Sequence, residues 1–481
     1  MKCSLPSEMI RRIEFVFFIT LTQFLFSLCY PLSLNNPSDF QSKAYAETQI
    51  LKCMLNDWDC IEFPQDNQGI KQWSKTIGQS GAFESYGNST AVDRKGNVYM
   101  IGTTTGSVLD QIKISPTDYS DIFLIKFQSD GQLVWAKHMG SPVITSTYAE
   151  FIHIDSFGNL YLIGASNSPF NELGAIGSGA LLIKLGNDGT TLWTRIVPTA
   201  GETLGYGVTT DPIGNVYITG NTEEQTLNGQ SATGGRNTFL LKYDIHGNLL
   251  WTKLFDSSGI ASYGQSVQYE PTSNSLILSG QLVGSGTFFS NTTPGDSTDS
   301  YILSFDLNGN FQWVQFLGGI GISTQIRAMS LDKKGSIYVS GDTNGNIEGQ
   351  TNEGSIVQFL TKISSNGDKI WTKLLGGGGS SSTYANAIYA DNTGHIYTYG
   401  GTNGNLPGVN RIGTNDAHLT KYDASGNLIW IRLSGNTGIS LTGRGLSSDR
   451  YGTLYATGFT SGGFDGESKF GSIDAFLIQY K

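Results

Sequence analysis

Five histidines, His138, His153, His246, His395 and His418, are the first residues to ask about metal ligation or acid–base work. No two stand at the i, i+2 or i, i+4 spacing that brings imidazoles to one metal, and no Ser or Cys accompanies them in a triad pattern. The glycine-rich run GGGGSSS, residues 376–382, precedes a strand-like segment, not a helix, so it does not cradle phosphate. Recurrent Asp-x-x-Gly turns supply one carboxylate each, too few oxygens for calcium. No cofactor and no metal are expected.

One constellation has binding potential. Tyr86, Tyr148, Tyr206, Tyr263 and Tyr384 each follow a recurring Trp by 12 or 13 residues. Asn88, Glu150, Gln265, Arg327, Asn386 and Arg444 come next along the same segments. Aromatic rings with converging polar groups suit a small polar or glycan-like ligand. The same tyrosines also fit as packing between repeats, with the polar residues meeting water, and that is the preferred of the two readings.

What positions these residues is a repeat. Trp73, Trp135, Trp193, Trp251, Trp313, Trp371 and Trp430 recur at steps of 62, 58, 58, 62, 58 and 59. Tyr99, Tyr161, Tyr217, Leu276, Tyr338, Tyr397 and Tyr455 keep the same step, as do Lys126, Lys184, Lys242, Ser304, Lys362, Lys421 and Gln479. Each unit reads as four strands, here a to d, rich in Tyr, Val, Ile and Thr. The a–b turns are of the type DRKGN, DSFGN and DPIGN, and the c–d turns DIHGN, DLNGN and DASGN. Asp opens such a turn by accepting backbone N–H groups, and Gly takes the positive φ. The fourth unit departs, with EPTSNSLILSG, so its a–b hairpin is the least defined.

The runs DPIGNVYITG, DAFLIQY and DASGNLIW resemble the signature of the SBBP family, bacterial seven-bladed β-propeller repeats, over residues 70–481. The resemblance implies the fold and an exported bacterial protein, and says little about activity.

The strand count predicts an all-β fold, a seven-bladed β-propeller of four-stranded blades. A d-type strand comes first, at 70–78. Blades follow at about 86–140, 148–197, 205–255, 262–318, 324–376, 383–434 and 442–481. The last lacks its own d strand, which the N-terminal one supplies, closing the ring. The meander puts the short a–b and c–d turns on one face. The long b–c loops at 103–120, 221–237, 281–299 and 401–415 lie on the other, where function is expected.

Residues 1–29 read as a signal peptide or lipoprotein-type leader: Lys2, Arg11 and Arg12 precede an apolar run ending at Cys29. Cys29 is the lipidation candidate, although Leu28 stands where that pattern wants a small residue. Met9 is an alternative start. Residues 30–69 read as a tether in which Cys53 and Cys60 can close a local disulfide in an oxidising compartment, free thiols being the alternative. A net charge of −10 argues against nucleic acid. The expectation is an exported, monomeric binding module of the cell envelope, outer surface or secreted space. Its partner is a protein or glycan, and membrane contact runs only through the leader or a lipid. A structural scaffold, or a propeller hydrolase or lyase, are the alternatives, and the residues favour binding over catalysis.

Overall fold

The computed structural model describes residues 67–481 apart from 117–118, 143–144, 168–177 and 256. The leader, Cys29, the tether up to residue 66 and the Cys53–Cys60 pair lie outside the described residues. No helix occurs among the described residues.

Seven antiparallel four-stranded sheets form the ring, and in six of them the strands follow chain order a-b-c-d. The a strands are innermost: Ser85–Val92, Thr147–Ile154, Thr203–Thr210, Ala261–Glu270, Thr324–Leu331, Thr383–Ala390 and Leu441–Ser448. In the seventh sheet the N-terminal strand Lys71–Ile77 pairs with the C-terminal strand Asp474–Tyr480, with Ser74 opposite Ile478. The N-terminal strand closes the propeller as the strand count requires, and no blade is left with an open edge at the junction.

The three periodic landmarks form one row across each blade. In blade one Tyr99 of strand b pairs with Lys126 of strand c, which pairs with Trp135 of strand d. All three side chains meet the c–d turn of the next blade. Lys126 Nζ donates to the Asn187 carbonyl at 3.0 Å and lies 4.9 Å over the Tyr99 ring. A Cβ added at Gly189 in that turn would stand 3.2 Å from Trp135, so the turn packs against the indole. Tyr99 in turn donates to Asp93 Oδ2 at 3.1 Å, and Asp93 Oδ1 accepts the N–H groups of Lys95 and Asn97. Gly96 completes this turn at φ 81°. One residue set therefore fixes the hairpin and the blade-to-blade contact together.

Ring closure uses the same device. Asn67 to Gly69 stand in for a c–d turn: Lys421 Nζ reaches the Asn67 carbonyl at 3.3 Å, and Gly69 packs on Trp430. Asn67 Nδ2 also donates to the carbonyls of Gly452 at 2.7 Å and Tyr480 at 3.2 Å. The closing segment thus includes residues 67–69 ahead of the strand expected from the sequence, because the turn is needed as well as the strand.

Blade four forms its a–b hairpin by another route. Glu270, buried, replaces the turn Asp, and its longer carboxylate accepts from the backbone and hydroxyl groups of Thr272 and Ser273. Asn274 takes the positive φ, 52°, in place of glycine.

The b–c loops are packed onto the blades. They fold back along their own outer strands: Asn228 donates to Thr252 at 3.0 Å, Phe289 stacks on Phe311 at 4.6 Å, and Glu348 pairs with Lys369 at 2.6 Å. The short-turn face carries exposed apolar side chains. Leu133, Val134, Leu250, Ile370 and Ile429 near the d-strand starts are exposed, as are Phe157 and Ile213 in a–b turns.

Candidate functional site

The a strands enclose a central channel of about 980 Å³. Each of them carries a β-bulge, and the unpaired residues of the seven bulges are Asn88, Glu150, Tyr206, Gln265, Arg327, Asn386 and Arg444. All seven line the channel. A bulge inserts one residue into the strand and re-aims its side chain. Small residues flank most of them, because a bulged strand presses on the neighbouring blade. A Cβ at Gly87 would meet Thr457 Oγ1 at 2.2 Å, and one at Gly443 would meet the Tyr399 ring at 2.4 Å. The fold thus holds seven non-equivalent side chains at one level, each free to vary without disturbing the ladder.

Two of the seven are spent on the neighbouring blade. Asn88 donates to the Ala149 carbonyl at 2.8 Å, and Asn386 to the Gly443 carbonyl at 2.8 Å. Tyr206, grouped by its Trp spacing with the other tyrosines, stands in this bulge ring instead. The run from the repeat Trp to strand a is two residues shorter in blade three (Trp193 to Thr203) than in blade one (Trp73 to Ser85), so Leu204, not Tyr206, matches Tyr86. Burial raises the Tyr206 hydroxyl pKa, and the Glu150 charge adds to this.

Nearer the long-loop face lies a side pocket of about 200 Å³, walled by Glu84, Tyr86, Thr103, Thr105, Tyr148, Glu150 and Arg444 among others. It joins five of the eleven residues singled out from the sequence: Tyr86, Asn88, Tyr148, Glu150 and Arg444. Tyr206, Arg327 and Tyr384 line the channel proper. Tyr263 borders neither cavity and lies under Arg236, 5.6 Å from its guanidinium.

Within the pocket Tyr86 donates to Glu84 Oε2 at 3.0 Å. Burial and that carboxylate push its pKa up to about 12, so it stays a neutral donor. The half-buried Tyr148 hydroxyl has no hydrogen-bond partner among the described residues and opens into the pocket. Glu150 also accepts no hydrogen bond among them. Burial pushes its carboxyl pKa up, and Arg444 opposes that shift. Arg444 Nη1 donates to Asn88 Oδ1 at 2.8 Å, and its guanidinium lies 5.6 Å from the Tyr86 ring and 5.1 Å from Phe459. Burial lowers the Arg444 pKa, Glu150 counters, and Arg327 adds to the lowering.

Glu84, Phe459, Asp342 and Arg236 join the rim without a signal in the sequence. They come from the ends of d–a connections, strands b and b–c loops, whose lengths vary from unit to unit.

Three stretches, residues 72–110, 192–225 and 312–348, match the SBBP model, described as a beta-propeller repeat. The chain carries SBBP repeats. They agree with the seven blades just described, and each matched stretch begins within a strand d and runs through the following a–b hairpin. Among curated proteins, the chain is similar to an uncharacterized WD repeat-containing protein, L264, of Acanthamoeba polyphaga mimivirus. The two are 23% identical over 68% of this chain and 30% of that protein. It is also similar to the regulatory protein FlaEY of Caulobacter vibrioides, 27% identical over 26% of this chain and 13% of that one. The chain therefore spans under a third of either relative. Among solved structures it resembles the polysaccharide lyase Uly1, with a TM-score of 0.50 and 11% identity over 86% of this chain and all of that one. At that identity the likeness is one of fold.

Two of the five histidines are tied to neighbouring blades by hydrogen bonds. His418 is fully buried and bonds Gln358 Oε1 at 2.7 Å, and His153 bonds Thr210 Oγ1 at 2.9 Å. No group of three metal-ligating side chains occurs among the described residues.

Proposed function

We propose that this SBBP-repeat protein is an exported binding module that takes a saccharide-like ligand at the channel mouth on its long-loop face. The side pocket carries the reading. It is concave and small, and it combines the rings of Tyr86 and Tyr148 with the hydrogen-bonding groups of Glu84, Glu150 and Arg444. Such a mixture suits a polar ring with an apolar face. A protein partner needs roughly 800 Å² of surface, and the loops that would supply it are folded back along the outer strands.

Export is supported by the leader, with its basic start and apolar run to Cys29. N-terminal sequencing of protein from its native host should begin at or after residue 29. A cytosolic protein retaining Met1 or Met9 would overturn this part.

Binding is tested with the full-length protein on an oligosaccharide array, followed by calorimetry. Saccharide binding that Tyr148→Ala weakens supports the pocket. A partner whose binding ignores Tyr148 and Arg444, protein or glycan, overturns it.

A further inference from the structure

Three arginines lie over tyrosines of the a strands: Arg236 over Tyr263 at 5.6 Å, Arg327 over Tyr384 at 5.9 Å, Arg444 over Tyr86 at 5.6 Å. The first two are neutralised by the protein. Arg236 pairs with Glu202 at 2.6 Å and Glu223 at 2.5 Å, and Arg327 Nε pairs with Asp342. Arg444 has no carboxylate within 4.0 Å among the described residues.

The register shows how the counter-ion is missing. In blade five Gln325 faces Asp342, and the bulge residue two positions on is Arg327. In blade seven Thr442 faces Phe459, and the bulge residue two positions on is Arg444. Phe459 therefore occupies the place that Asp342 holds in blade five. A phenyl ring gives the guanidinium a stacking surface and no charge. Of five N–H donors, Arg444 uses one on Asn88. Glu150 is the carboxyl that acts on it electrostatically, across the pocket and beyond ion-pair distance. Arg444 is exposed to the channel, and a guanidinium with open donors and no ion-pair partner gains more than a paired one when an anion arrives.

We infer that Arg444 receives the anionic substituent, carboxylate or sulfate, of a saccharide whose ring occupies the side pocket against Tyr148. A planar guanidinium with open donors meets such a group through two parallel hydrogen bonds. This rests on the saccharide reading above and specifies its chemical class. It also assigns Phe459 a role: it keeps the anion position vacant.

The test is calorimetry on the full-length protein with four probes: a neutral glucose tetrasaccharide, a glucuronate-bearing tetrasaccharide, a sulfated one, and inorganic sulfate. The parent is compared with Phe459→Asp, which restores the counter-ion arrangement of blade five, and with Arg444→Lys, which keeps the charge but not the fork. Melting curves establish that each variant is folded. The expected result is at least tenfold tighter binding of one anionic tetrasaccharide than of the neutral one. Phe459→Asp should bring the ratio of anionic to neutral affinity to near one, and Arg444→Lys should retain part of the preference. Whichever of the carboxylated and sulfated probes binds more tightly identifies the group. Equal binding of neutral and anionic probes overturns the inference and leaves the saccharide reading standing. Inorganic sulfate binding lost in Phe459→Asp, with no saccharide bound, supports the anion position and overturns the saccharide reading. Binding of none of the four overturns both.

Discussion

The Tyr161 hydroxyl donates to Asp155 Oδ2 at 3.1 Å, tying the strand that faces the next blade to the turn that begins it. Asp155 Oδ1 meanwhile accepts the N–H groups of Phe157 and Asn159, and Gly158 completes the turn at φ 85°. Lys184 lies 5.2 Å over the Tyr161 ring and donates to the Ile245 carbonyl of blade three, as does Trp193 Nε1 at 3.1 Å. Tyr161→Phe should cost about 1–2 kcal/mol, since it removes one donor from a charged acceptor. Tyr161→Ala should cost about 3–5 kcal/mol, as for other large aromatic truncations in a core. Urea unfolding followed by tryptophan fluorescence measures both. Equal losses would mean that the hydroxyl, not ring packing, carries the clip.

Closure makes the N-terminal segment a structural part of the last blade. Deleting everything through Ile77 should expose the edge of strand Asp474–Tyr480 and give aggregation or a large drop in Tm. Asn67→Ala is the milder test. It loses the bonds to the Gly452 and Tyr480 carbonyls and should cost about 1–2 kcal/mol. A monomeric deletion variant with unchanged Tm would refute closure by this strand.

The fully buried His418 and the partly buried, channel-lining His153 give the fold an acid limit. Burial depresses the pKa of His153 to about 4 and of His418 to about 3, from an ordinary value of 6.5. The unfolded chain therefore binds protons that the folded one refuses. This contribution to stability is complete above pH 6.5 and is lost as pH falls from 6.5 towards 3–4. Urea midpoints should decline through that window. His153→Gln should decline less steeply, and an identical slope would show that His153 is not responsible.

Tyr148 is the sharpest probe of the mouth, because its hydroxyl is uncommitted. Tyr148→Ala should weaken saccharide binding by about 1–3 kcal/mol, the range of an aromatic anchor. Lys95→Ala and Asn392→Ala, in a–b turns on the opposite face, should leave it unchanged. Calorimetry with a melting curve for each variant separates lost contact from lost fold. Weakening by the turn substitutions alone would move the site to the other face.

How much of this was legible in the sequence follows from what repeats. Tyr99, Lys126 and Trp135 recur because every blade must grip the next one in the same way, so period alone exposes the blades and the closing strand. Function sits where the repeats differ, and period is blind there. Spacing from Trp places Tyr86 and Tyr148 correctly. It misplaces Tyr206, since a run from Trp to strand a shorter by two residues shifts the count. The bulge ring was half visible as a polar set two positions along. Its cause, an extra residue in strand a, needs the register of strand b. Phe459 carries no signal at all: among many phenylalanines, its meaning appears only when it is laid over Asp342.

Glu150 supplies the last prediction, and it joins stability to binding. Its carboxyl lines the pocket, accepts no hydrogen bond among the described residues, and has a pKa raised above 4.5 by burial. Arg444 opposes the shift, while Glu84 and the neutral hydroxyls of Tyr86 and Tyr148 share the pocket. A raised carboxyl pKa means that the folded state holds its proton more tightly than the unfolded state. The associated stability is full below pH 4.5 and is lost as pH rises through the raised value. Glu150→Gln keeps the shape without the charge. It should be more stable than the parent at pH 7, and the difference should vanish below about pH 4.5. An anionic ligand on Arg444 lies close to the same carboxyl, so ionised Glu150 repels it. Affinity for an anionic saccharide should therefore fall in the parent as pH rises through the Glu150 titration. It should stay nearly flat in Glu150→Gln, and neutral saccharides should show no such fall in either protein. Calorimetry from pH 4.5 to 8 with both ligand types decides it. A pH dependence that persists unchanged in Glu150→Gln would assign the titration to another group and place Glu150 away from the anion.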